Sequence, residues 1–101
     1  MPDGTLHDDL QARVDRYIAI EEKALSKISI AVPENSFLME FASNALTMIR
    51  AYFSDAIHFR DNGELINSFA ALNYSYGWID SLVRLGVLDG KGDDRLFTLY
   101  K

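Results

Sequence analysis

The chain has 101 residues, no cysteine and a formal charge of −5, so it is sized for one domain and has no disulfide, thiolate metal site or cysteine nucleophile. Hydrophobic residues make up 49% of it, the level of a folded globular chain, and no apolar run approaches the roughly 18 residues of a membrane span. Its ten lysines and arginines are scattered, which with the acidic balance argues against nucleic acid and anionic membrane as partners.

Residues 1–4 read as a frayed lead-in. They lack the basic and apolar regions of a signal peptide, so a cytoplasmic location is expected. Thr5 followed by Asp8 resembles a capping box, with Asp8 and Asp9 where the helix dipole favours acids. Leu10, Val14, Tyr17, Glu21, Ala24 and Ile28 then recur with alternating four-three spacing. This is the seam of a helix packed on other helices, and it predicts a first helix over about residues 5–28. Glu21 falls on that seam and is expected at its edge, its carboxylate reaching water.

Pro33 disfavours helix at Val32 and suits the start of a second helix, expected over about 34–61. Leu38, Ala42, Ala45, Ile49, Tyr52, Ala56 and Phe59 form its seam. Asp61-Asn62-Gly63 ends it, with Gly63 as the left-handed closing residue of a tight helical hairpin. The third helix, about 64–85, repeats the pattern with Leu65, Phe69, Leu72, Tyr76, Ile79 and Val83. Gly86 closes it in the same way. A polar, glycine-rich stretch leads to an apolar tail in which Leu96, Phe97, Leu99 and Tyr100 stand close together. The fold class expected is all-α: one domain over 1–101, an antiparallel up-and-down three-helix bundle with an apolar C-terminal tail over 87–101.

Two groups of residues stand out as candidate sites. Tyr74 and Trp78 lie one turn apart and nearly opposite the seam of the third helix. In a bare bundle they would stand in water, an apolar patch that monomers seldom leave open. With Leu96 and Phe97 they form the expected interaction surface, covered by the tail folding back and by a second copy or another protein. Tyr52, Asp55, Asn73, Tyr76 and Asp80 are the polar residues expected between helices, with Asp55 and Asp80 half-buried. Such carboxylates near tyrosines could bind a ligand or move protons.

Asp55-x-x-His58 has the spacing of carboxylate-bridged di-metal bundles. His58 lies on the wet face, however, and His7 is the only other histidine, so no metal and no cofactor are expected. No nucleophile triad, phosphate loop or dinucleotide fingerprint is present.

Several stretches resemble a known family: Ala31-Val32-Pro33-Glu34-Asn35-Ser36, Tyr52-Phe53-Ser54-Asp55-Ala56-Ile57-His58-Phe59, Phe69-Ala70-Ala71-Leu72-Asn73-Tyr74-Ser75-Tyr76-Gly77-Trp78-Ile79-Asp80 and Arg84-Leu85-Gly86. They are similar to an archaeal family catalogued as a domain of unknown function, number three-five-seven, over about residues 10–88. The resemblance implies a small helical bundle of archaeal origin and no assigned reaction, so it lends no catalytic residues. The function expected is a non-enzymatic protein-interaction or self-association module, its partner itself or another protein. The alternative is a small-molecule or metal site between the helices, binding or catalytic.

Overall fold

Two left-handed glycines bracket the last helix of the fold. A computed structural model describes residues 3–97, with side chains from residue 6. Its helices are α1 (Asp3–Lys27), α2 (Phe37–Asp61) and α3 (Leu65–Arg84). Gly63, at φ 77°, closes α2. Its N–H donates to the Arg60 carbonyl at 3.0 Å, and the Glu64 N–H donates to Phe59 at 2.8 Å. Gly86, at φ 81°, closes α3 with the same pair of bonds, to Val83 and from Val87 to Leu82. Both are Schellman ends, which satisfy carbonyls the helix leaves orphaned. The three-residue turn at 62–64 folds α3 back along α2, and α1 packs across both. The chain is an all-α three-helix bundle.

The helix starts differ from the sequence expectation. Thr5 lies inside α1 rather than capping it, because the helix already runs at Asp3. α2 begins at Phe37, since Pro33 to Ser36 forms a turn instead of a first helical turn. There the Ser36 hydroxyl donates to the Pro33 carbonyl at 2.7 Å and is lost as a helix cap.

A short ribbon, absent from the periodicity reading, ties the bundle end. β1 (Ser29–Ile30) pairs antiparallel with β2 (Leu88–Asp89), with Ile30 opposite Leu88. Leu88 and Asp89, at the start of the expected tail, are therefore part of a paired strand. Lys27 reinforces the same end through an ion pair with Asp93 at 2.6 Å.

Two apolar clusters make the core. One, at the ribbon end, includes Ala24, Ile28, Ala45, Ile49, Ile79, Leu82, Leu88 and Phe97. The other, toward the 62–64 turn, includes Val14, Ile18, Ala56, Leu65 and Leu72. Leu72 is buried, as its mid-seam position requires. The buried face of α3 is nevertheless rotated from the expected seam. Ser68 and Ser75 are fully buried, while Phe69 and Tyr76 stand at the flank. Small residues let the helices approach closely, and each serine has a partner that makes burial tolerable. The Ser68 hydroxyl donates to the Ala56 carbonyl at 2.7 Å.

Candidate functional site

Glu21 is a fully buried acid, 0% exposed, on α1. It does not reach water at the seam edge, as its type suggests it should. Along α1 it falls between Ile18 of one cluster and Ala24 of the other, and along α3 Ser75 falls between Leu72 and Ile79. The two side chains thus form a polar layer between the two halves of the core. Ser75 Oγ donates to Glu21 Oε2 at 2.6 Å. Glu21 Oε1 has no hydrogen-bond partner among the described residues. Burial pushes the Glu21 carboxyl up to about 7, and the Ser75 hydrogen bond only partly opposes this.

The polar layer lies against a cleft of about 800 Å³ between α1 and α3. α1 contributes Tyr17, Ile20 and Glu21, while Asn73, Tyr76, Gly77 and Asp80 line it from α3. The segment 94–97 is its third wall. Asp93 holds that wall in place by accepting from the Arg95 N–H at 2.9 Å and the Leu96 N–H at 3.1 Å. The Lys27 ammonium beside Asp93 keeps its carboxyl down at about 2. Across the cleft, the Tyr76 hydroxyl donates to the Leu96 carbonyl. Burial, with the Asp80, Glu21 and Asp93 carboxylates adding to it, pushes the Tyr76 phenol up to about 12. It therefore stays protonated as a donor.

The five polar residues read from the sequence do not line one cavity. Asn73, Tyr76 and Asp80 line this cleft, whereas Tyr52 and Asp55 line a smaller depression with Tyr74 and Phe59. Asp55 is exposed rather than half-buried. Glu21 and Ser75, the pair beside the cleft, were not singled out as a site. Their signal was an acid on an apolar seam facing a helix whose own seam is flanked by serine.

The expected interaction surface is also divided. Tyr74 remains half-exposed, its ring 4.8 Å from that of Tyr52 and tilted by 58°. Trp78 and Leu96 pack against the ribbon-end cluster, of which buried Phe97 is a member. Leu99 and Tyr100, the rest of the apolar tail, lie outside the described residues. Other large apolar residues are exposed as well, Leu6 and Ile66 at 64% and 76% among them. At the start of α2, Phe37, Leu38 and Phe41 are 98%, 50% and 46% exposed, and Leu85 near the end of α3 is 75% exposed. Hairpin topology places all four at the end away from the 62–64 turn. Leu38 thus lies outside the core that its place on the α2 seam implied, because the partner helices do not cover the first turn of α2.

His58 is exposed and shares a 3.1 Å contact with the Asn62 amide. No group of three or more potential ligands gathers for a metal among the described residues.

Residues 16–88 match the family described as "Protein of unknown function (DUF357)". The chain belongs to the DUF357 family. The DUF357 match takes in Glu21, Ser75 and the helical walls of the cleft, and it ends at Leu88, before the 94–97 wall. No curated protein and no solved structure matches the chain. None of the described helices is long and apolar enough to cross a membrane.

Proposed function

We propose that this DUF357 chain is an interaction module that pairs with a second copy of itself through the apolar end formed by Phe37, Leu38, Phe41 and Leu85. The observation that carries this reading is the exposure of four large apolar side chains at one end of the bundle. Covering them would remove roughly 500 Å² per copy and about 1,000 Å² per pair, the lower bound for a specific interface. That area supports a reversible dimer rather than a permanent one. An apolar patch is complementary to itself, so a two-fold pairing needs no second surface. The acidic net charge supports a protein partner over nucleic acid.

The pairing is tested by sedimentation equilibrium of the full chain over a range of concentrations. Wild type should pass from monomer to dimer, and Phe37→Ser with Phe41→Ser should stay monomeric at unchanged helix content. Added salt should strengthen the dimer, since two copies of charge −5 repel and salt screens them. A wild-type chain that remains monomeric throughout overturns self-association and leaves the apolar end to a different protein.

A further inference from the structure

The cleft between α1 and α3 combines features that structural packing does not require. Its buried carboxylate keeps one oxygen, Oε1 of Glu21, without a partner. A buried acceptor left unsatisfied is costly, and native structures rarely keep one without a use. On the facing helix the cleft is lined by Gly77, in the interior of α3. Glycine there weakens a helix relative to alanine. Yet a Cβ at Gly77 would meet nothing within 4 Å, and its backbone is not in the left-handed region. No neighbour demands the glycine, which borders the cleft.

The remaining walls indicate what would fill that space. Asp80 and Asp94 add two carboxylates, and among the described residues Arg95 is the one cationic side chain lining the cleft. Tyr17 and Tyr76 offer aromatic faces, and Ile20 and Leu72 offer aliphatic ones. The buried face of α2 brings no ionisable group, being Ala42, Ala45, Ile49 and Ala56. An acidic, aromatic and otherwise greasy cleft favours a cation with an apolar body. Once Glu21 is ionised, its partnerless oxygen requires an N–H or O–H donor.

We propose that the α1–α3 cleft binds a small organic ammonium ion, its N–H donated to Glu21 Oε1 and its apolar body lying between Tyr17 and Tyr76 past Gly77. Oε1 is closed to solvent, so the head group reaches it as the lining side chains part. Below pH 7 the incoming cation displaces the Glu21 proton, and binding releases that proton to solvent. The site is separate from the apolar end and does not depend on self-association.

The test uses the ¹⁵N-labelled full chain and four six-carbon probes: n-hexylammonium, hexyltrimethylammonium, 1-hexanol and hexanoate. Hexylammonium should shift the amide signals of Asn73, Tyr76 and Gly77. It should bind about tenfold or more tighter than each of the other three, the scale of a charge-assisted hydrogen bond. Hexyltrimethylammonium separates charge from donation, since it has no N–H. Glu21→Gln can still accept the Ser75 hydrogen bond and should fold, yet it should lose about tenfold in affinity for hexylammonium. Gly77→Ala should fold and bind more weakly, while Phe37→Ser with Phe41→Ser should bind as wild type. Calorimetry of the wild type at pH 6 in buffers of different ionisation enthalpy should show proton release that Glu21→Gln abolishes. Hexanol or hexanoate binding as tightly as hexylammonium, undiminished binding by Glu21→Gln, or no shift with any probe would overturn the proposal.

Discussion

Ser75 Oγ lies 2.6 Å from Glu21 Oε2, and both side chains are wholly removed from water. This one bond joins α1 to α3 at the level where the two apolar clusters meet. It also makes the acid a titrating member of the core rather than a surface charge. A buried carboxyl with one partner resists ionisation more than the same group in the unfolded chain does.

The pH dependence of stability follows with a definite sign. The Glu21 carboxyl rises from 4.5 to about 7 on folding. Between those values the folded state holds a proton that the unfolded state has lost, so stability falls as pH rises through this window. The shift corresponds to about 2–4 kcal/mol, present in full below the unfolded value and lost above the folded one. Asp93, held low by Lys27, acts oppositely and only in more acidic solution. Denaturant titrations from pH 4.5 to 8 should show the decline in wild type. Glu21→Gln should remove that component and exceed wild type in stability above pH 7. Parallel curves for the two proteins would place Glu21 in solvent.

Four-three spacing was enough to read three helices and their hairpin, because apolar residues at that period have only one way to hide together. It was not enough to orient α3. A helical wheel weighs Phe69 and Tyr76 as core and Ser68 and Ser75 as surface by their types. The packing reverses this, since the serines are small and find the Ala56 carbonyl and Glu21. Glu21 was misread for the same reason, as its partner lies on another helix, 54 residues away. The β1–β2 ribbon, two residues per strand, is too short for any period to show. The polar candidates separated because the two flanks of α3 face different surroundings: Tyr76 and Asp80 face α1 and the 94–97 wall, and Tyr74 faces Tyr52.

Leu72 is among the most completely buried side chains of the described core. Leu72→Ala should cost about 2–5 kcal/mol through lost burial and the cavity left behind. A loss below about 0.5 kcal/mol in a denaturant titration, within the range of surface substitutions, would contradict its place in the core.

Gly77→Ala should move stability the other way. The new methyl group meets no atom within 4 Å, so the substitution removes backbone freedom from the unfolded chain without strain. The expected gain is about 0.5–1 kcal/mol, read as a higher denaturation midpoint at unchanged slope. Destabilisation would show that the space beside Gly77 is filled in solution.

Gly90 and Phe97 form a packing pair at the ribbon end, where the chain after β2 returns to the core. A Cβ on Gly90 would lie 2.7 Å from Phe97 Cδ2 and 3.2 Å from Val83 Cγ1. Neither atom can move far, since Phe97 and Val83 are both buried in the cluster against which Trp78 packs. Gly90→Ala should therefore cost about 1–3 kcal/mol by overpacking. Phe97→Ala should cost about 3–5 kcal/mol by opening a cavity. In the Phe97→Ala background the obstructing ring is gone, so adding Gly90→Ala should cost much less than it does alone, a coupling that neighbours sharing one space produce. Trp78 is the only tryptophan, and its emission reports on the same cluster. It should shift to the red in Phe97→Ala and in a chain truncated after Asp94. Additive costs, with Trp78 emission unchanged in both variants, would mean that Phe97 does not seal this end of the core.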